Sequence, residues 1–242
     1  MTLPSAQTLH DVIEATWPAA ATQFAGGFVV RQGAGGGSRV SSATALTTDS
    51  TATRIDAAEA MKSRGQPPLF MIRDGDTALD EALAGDGYQV KDPSVLYASP
   101  IGPLAAVAPP PISTFQVWPP LAAQNDIWAE GGIGPSRRAV MDRATCSKTS
   151  ILGRINDRPA ATAYVGFAHD CAMIHALEVA PTDRRQGLAA LVTRAAAIWG
   201  QREGALWLTL VTTQGNIAAN ALYTSLGMTV VGHYHYRIKS DA

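Results

Sequence analysis

Thirteen residues, Leu177-Glu178-Val179-Ala180-Pro181-Thr182-Asp183-Arg184-Arg185-Gln186-Gly187-Leu188-Ala189, lead from a strand pattern through a tight polar turn into a long amphipathic helix. The first amides of a helix have no acceptor within it, and the helix dipole adds positive potential, so a phosphate can dock there. Gly187 carries no side chain to obstruct that approach, and Ala189 is nearly as small. The guanidinium groups of Arg184 and Arg185 can complement a diphosphate. A lone glycine-rich turn is a weak signal. Other nucleotide folds fit worse, because the chain contains no GxxxxGK[ST] and no GxGxxG followed by an acidic ribose ligand.

The elements around this turn read clearly. Thr114 to Trp118 predicts a short strand, and Leu121 to Glu130 and Pro135 to Arg143 predict helices separated by Gly131, Gly132 and Gly134. Ser150 to Ile155 and Ala160 to Phe167 predict a hairpin about the turn Asn156 to Pro159. Cys171 to Val179 predicts a third strand, ended by Pro181. Leu188, Leu191, Val192, Ala195, Ile198 and Trp199 then line one face of a helix. Leu206 to Val211 predicts a strand apolar on both sides, and therefore central. Asn216 caps a helix running to Leu226, Gly227 stops it, and Thr229 to Ile238 predicts the last strand.

Before the prolines of Pro100 to Pro111 the pattern is fainter. Phe28 to Arg31 and Arg39 to Ala45 predict strands, and Ile55 to Ser63 a helix. Leu69 to Tyr88, with a helix over Ala78 to Ala84, aligns without a gap on Thr209 to Met228. Gly75 then falls on Gly215, Asp76 on Asn216, Asp80 on Asn220, Leu83 on Tyr223 and Gly87 on Gly227. Duplication and a chance match of two strand-helix-strand segments both account for this. The reading is a degenerate domain over 1–100, an extended linker over 101–112 and a functional domain over 113–242.

Composition narrows the function classes. Hydrophobic residues at 46% and charged residues at 16% suit a folded globular chain rather than a disordered one. A net charge of -1 and no long Lys/Arg run argue against nucleic acid or an anionic membrane as partner. Cys146 and Cys171 show no metal-ligand spacing and are too few for a disulfide framework, so no metal is expected and a reducing, cytoplasmic setting is. Met1 to His10 lacks the charge and apolar pattern of a signal peptide, and no apolar run reaches the roughly 20 residues of a membrane helix.

Arg184-Arg185-Gln186-Gly187-Leu188-Ala189 resembles the Gln/Arg-x-x-Gly-x-Gly/Ala signature of the GCN5-related N-acetyltransferases (GNAT), and a second segment agrees with it. Asn216-Ile-Ala-Ala219-Asn220-Ala-Leu222-Tyr223-Thr-Ser-Leu-Gly227-Met228 resembles that family's Asn-x-x-Ala-x-x-Leu-Tyr-x-x-x-Gly-Phe, departing only at Met228. The resemblance covers Thr114 to Ile238. It implies an α/β (α+β) fold: a mixed, mostly antiparallel central sheet flanked by helices, the acyl-CoA N-acyltransferase fold, in tandem if the first half is a copy. No Arg-x-x-Gly-x-Ala turn stands between Ala45 and Ala58, so the first half lacks the cradle.

The resemblance further implies acetyl-coenzyme A as cosubstrate and direct attack on its thioester by an amine, from a small molecule or a peptide. Tyr223 matches the residue that protonates the leaving sulfur, and with an ordinary pKa of ~10 it can donate at neutral pH; packing beneath the cofactor is the plainer role. Glu178 matches an acidic position used as base by some members, against the reading of a solvated strand carboxylate. His175, with an ordinary pKa of ~6.5, could serve instead, but alternation puts it on the face opposite Glu178 unless a bulge intervenes. Leu177 and Val179 would offer backbone groups to the pantetheine arm and the thioester oxygen, and Asn216 either bonds the cofactor or caps its helix. His233 and His235 share one strand face and Tyr234 and Tyr236 the other, lining an acceptor pocket or forming an ordinary strand. The competing function is a protein that binds or senses acyl-coenzyme A without turnover, and either would act as a monomer or homodimer.

Overall fold

Alternation and turn chemistry resolve into strands and helices over residues 2–47 and 53–239, the part of the chain that the computed structural model describes. These residues fall into two compact units, each drawing on both sides of the proline-rich stretch. The first gathers Met1–Trp17, Leu96–Thr212 and Asn216–Val231; the second gathers Pro18–Val95, Thr213–Gly215 and Gly232–Ala242.

In the first unit α1 (Ala6–Thr16) is followed by the end of β5 (Gln89–Pro100), α5 (Ile101–Ala105), β6 (Thr114–Val117), α6 (Ala122–Glu130) and α7 (Pro135–Arg143). β7 (Ser147–Ile155), β8 (Arg158–Ala168), β9 (Cys171–Val179), α8 (Leu188–Arg202), β10 (Trp207–Thr213) and α9 (Ile217–Ser225) complete it. Its strands lie in the order β5-β10-β9-β8-β7-β6. Pairing is antiparallel from β6 through β9 and parallel between β9 and β10. The parallel pairing runs only from Cys171↔Trp207 to Ile174↔Leu210; beyond it β9 and β10 part. β10 thus sits between two neighbours, as its two apolar sides require.

Two layers cover this sheet. Gln124 of α6 bonds Ser150 and Thr162, whereas Leu188 and Val192 of α8 approach Gly153, so the two helices take opposite faces. A side chain on Gly153 would stand 2.9 Å from Val192, and one on Gly200 would stand 2.4 Å from Ala172, so both glycines set how closely α8 seats. α1 packs on β8 and β9 with Leu9, Val12 and Ile13 buried.

The second unit holds β1 (Ala21–Ala25), β2 (Phe28–Gln32), α2 (Ser38–Ser41), β3 (Ala43–Ala45), α3 (Arg54–Lys62), β4 (Leu69–Arg73), α4 (Thr77–Gly85) and most of β11 (Thr229–Ile238). Its sheet runs β1-β2-β3-β4-β11 over a core of Phe28, Val30, Met61, Phe70, Leu79 and Leu83. The internal echo is visible bond for bond. Asp80 and Asn220 donate their amides to the carbonyls of Asp76 and Asn216, Gly87 and Gly227 to Ala84 and Thr224, and Tyr88 and Met228 to Leu83 and Tyr223. Gly87 and Gly227 both take left-handed φ values, 83° and 77°.

Two expected elements differ. Arg39 to Ala45, read as one strand, is a helical turn followed by a three-residue strand. Ala34, Gly35 and Gly37 adopt positive φ and coil the chain, and the Ser41 hydroxyl donates back to the Gly37 carbonyl. The linker, read as extended, begins with α5, because Pro103 falls in the first turn, where a helix needs no amide donor, and Ile101 and Leu104 are buried.

Since α1 and the end of β5 belong to the first unit, a chain starting at Ser113 is expected not to fold on its own. Burial of Leu9, Val12, Ile13 and Trp17 alone is worth roughly 6–12 kcal/mol, comparable with the whole stability of a domain. Loss of near-ultraviolet circular dichroism in the 113–242 fragment is the expected result; a cooperative melt near that of the full chain would contradict it.

Candidate functional site

The turn after β9 is held from below. A short helical turn at Pro181–Asp183 buries the Asp183 carboxylate, which accepts from Arg158 at 2.7 Å and from the Thr182 hydroxyl at 3.0 Å. Arg184 is extended, Arg185 takes φ +64°, and Gly187 takes φ +80° as the N-terminal cap of α8. The helix's first bonds run from the amides of Ala190 and Leu191 to the Gly187 carbonyl, at 3.0 and 3.2 Å. Among the described residues the amides of 187–189 therefore have no backbone acceptor. Two left-handed residues within three aim such amides into one concavity, the geometry of an anion nest. A Cβ on Gly187 would meet nothing within 4 Å, so the space above the turn is open. Leu188, the first residue of α8, is buried, and Ala189 beside it is partly buried.

The two arginines have different duties. Arg184 donates Nε to the Val179 carbonyl at 3.1 Å and an Nη to Glu178 Oε1 at 2.9 Å, tying the turn to the end of β9. Arg185 is exposed and its side chain makes no polar contact with another described residue, and the same is true of the Gln186 side chain. Arg185 is thus the guanidinium at liberty to meet an anion. Asp183, whose buried carboxylate fixes the turn, was not among the residues singled out from sequence; its pairing with Arg158 has no sequence spacing that announces it.

β9 carries a bulge where it leaves β10. Tyr164 pairs with His175 and Thr162 with Glu178, so Ala163 alone faces both Ala176 and Leu177. Ala176 takes φ +50°. Tyr164 and Thr162 share a face, so His175 and Glu178 do as well, correcting the alternation that separated them. His175 is nonetheless a core residue: it is buried, bonded through Nε2 to the Thr16 hydroxyl at 2.8 Å and stacked on Trp17 at 5.1 Å. Glu178 is partly buried, with Arg184 on one side and Gly131 at the end of α6 on the other. Leu177 and Val179 lie on the edge of β9 from which β10 has parted.

Tyr223 projects from α9 and is buried, its ring centroid 5.8 Å from that of Tyr97. Burial pushes its phenol up to about 12. Its hydroxyl bonds no other described residue. Tyr97, contributed by β5, donates to Asn220 Oδ1 at 3.0 Å and lies outside everything the sequence reading assembled. Asn216 caps α9 by accepting from the Ala219 amide at 3.1 Å. In the echo position Leu83 is fully buried, an apolar plug where Tyr223 stands. His233 and His235 belong to the second unit, where His235 bonds Asp80 at 2.8 Å and Tyr234 and Tyr236 are buried on the other face. Among the described residues no three His, Cys, Asp or Glu side chains are grouped to hold a metal, and no helix is long and apolar enough to cross a membrane.

Residues 121–228 match the Acetyltransferase (GNAT) family. A solved GCN5-related N-acetyltransferase from Kribbella flavida is similar at 18% identity over 98% of this chain and 97% of that one, with a TM-score of 0.76. A protein of unknown function from Staphylococcus epidermidis is similar at 12% identity over 91% and 93%, TM-score 0.68. A tandem GNAT protein of the clavulanic acid biosynthesis pathway is similar at 14% identity over 100% and 91%, TM-score 0.61. At such identities the likeness is one of fold. No curated protein sequence matches the chain.

Proposed function

We propose, from the premise that residues 121–228 form a GNAT-family domain within a tandem acyl-CoA N-acyltransferase fold, that the first unit transfers an acetyl group from acetyl-coenzyme A to a primary amine. The observation that carries this reading is the run of acceptorless amides from residue 187 to 189, opening α8 under an unobstructed Gly187. A diphosphate fits such a nest, with Arg185 adding charge from the rim. The pantetheine arm then lies along the β9 edge vacated by β10, and the amides of Leu177 and Val179 serve the thioester oxygen as its charge develops.

In this reaction the amine nitrogen bonds to the acetyl carbon and the carbon–sulfur bond breaks, with no covalent intermediate on the chain. Glu178 takes the proton that the ammonium must lose, directly or through water, and Tyr223 donates its own to the departing sulfur. Arg184 belongs to the turn but acts at the boundary, holding Glu178 and the end of β9. Asn216 fixes the start of α9 and so the placement of Tyr223. The degenerate 1–100 segment supplies α1 and the end of β5 to the same unit. A cytoplasmic setting and a small-molecule or peptide acceptor complete the proposal.

The test joins two measurements. Calorimetric titration of the full chain with acetyl-coenzyme A is expected to saturate, and free thiol is expected above background with at least one of a panel of polyamines, aminoglycosides, amino-terminal peptides and lysine peptides. Saturable binding with no thiol from any amine would leave an acyl-coenzyme A binding protein; no binding by folded material would sink the reading altogether.

A further inference from the structure

The bulge in β9 is a strained feature with an identifiable support. Alanine in the left-handed region costs roughly 1–2 kcal/mol relative to its ordinary conformations, and such a conformation persists only when its surroundings over-determine it. The φ of +50° at Ala176 is met by one strong contact: Trp128, fully buried in α6, donates its indole Nε1 to the Ala176 carbonyl at 2.7 Å. A buried indole N–H needs such an acceptor, and the carbonyl it chooses is the one that a regular strand would orient differently.

α6 is itself fixed. Gln124, fully buried, accepts from the Ser150 hydroxyl at 3.3 Å and the Leu121 amide at 3.0 Å, and donates to the Thr162 hydroxyl at 3.2 Å. Shortly beyond Trp128 the same helix ends at Gly131, whose missing side chain makes room for Glu178: a Cβ there would stand 2.5 Å from Glu178 Cγ. One helix therefore touches the bulge twice, at the Ala176 carbonyl and at the Glu178 carboxylate.

From this juxtaposition we propose that Trp128 is a positioning residue for the transfer reaction, its indole N–H holding Ala176 left-handed and so setting the direction of the Leu177 amide and the Glu178 carboxylate. The inference rests on the acetyl-transfer reading. Its distinctive consequence is a rescue. Trp128→Phe keeps an aromatic ring and removes the donor, while Ala176→Gly lets the backbone adopt the left-handed conformation without support.

Trp128→Phe in the full chain is expected to lower kcat about tenfold, as one transition-state contact worth about 1.4 kcal/mol would, with KM for acetyl-coenzyme A within about twofold, and to displace the amide resonances of Leu177 and Glu178. Trp128→Phe combined with Ala176→Gly is expected to return both kcat and those resonances close to wild type. Unchanged resonances in Trp128→Phe, or a double variant as impaired as the single one, would overturn the proposal. Should the single variant fold poorly, the double variant is made directly, and its resonances and kcat decide the matter alone. Absence of thiol release by the wild type would remove the acetyl-transfer reading, and Trp128 with it as a positioning residue; the resonances would still report whether the indole sets the bulge.

Discussion

Tyr223→Phe is expected to lower kcat about 100-fold or more, in the range of general acid catalysis, while KM for acetyl-coenzyme A stays within about threefold. The substitution removes only a hydroxyl. Because that hydroxyl bonds no other described residue, its loss orphans nothing, and the ring can keep its place beside Tyr97. Stability should therefore be nearly unchanged, which separates the chemical effect from a folding one. The pH profile adds a second check. Burial raises the phenol to about 12, so the protonated, donating form persists through the whole alkaline range in which an ordinary tyrosine ionises at ~10. Any fall in wild-type kcat between about pH 9 and 11 must then come from another group, and the Tyr223→Phe variant should show the same fall. A variant with wild-type kcat would remove Tyr223 from the chemistry and leave it a packing residue.

Much of the second half of the chain was legible because local rules decide it. Cys171–Val179, Pro135–Arg143 and Thr229–Ile238 form with the boundaries expected, each marked by Gly, Pro or a clean alternation. The turn around Gly187 was legible for the same reason: a glycine at the mouth of an amphipathic helix is a local signal. What periodicity does not encode is which distant segment completes a unit. α1 and the end of β5 enter the first unit from the far side of the prolines, and with them Thr16, Trp17 and Tyr97. No spacing in the sequence links Tyr97 to Asn220, or Arg158 to Asp183.

The bulge shows a different limit of sequence reading. Alternation is a rule about regular strands, and it placed His175 opposite Glu178 because nothing in Ile-His-Ala-Leu-Glu marks an extra residue. Had residue 176 been glycine, a bulge would have been the natural reading. Instead the sequence has alanine there, and the instruction to bulge comes from Trp128, 48 positions away. His175 then proves to be a core histidine among Trp17, Tyr164 and Thr16, the commoner fate of a lone histidine on an apolar strand.

The cradle yields the other large effect. Gly187→Asp is expected to weaken acetyl-coenzyme A binding about 100-fold with the fold intact, measured by calorimetry alongside a thermal melt. Aspartate is among the residues that tolerate the left-handed region, so φ +80° at position 187 should cost roughly 1 kcal/mol of stability rather than unfold the chain. Steric conflict adds little, because nothing lies within 4 Å of a Cβ at that position. The new carboxylate, however, projects from the turn whose amides would hold the diphosphate. Two like charges about 4 Å apart repel by roughly 1 kcal/mol in water and 4 kcal/mol at an effective dielectric near 20. An exposed turn lies between these, and about 2.7 kcal/mol corresponds to about 100-fold in Kd. Gly187→Asn is the matched control: it tolerates the same backbone angle and is of nearly the same size, but it carries no charge, so it should lose much less affinity. Equal losses in the two variants would mean that shape rather than charge governs the turn, and unchanged binding in Gly187→Asp would move the diphosphate away from α8.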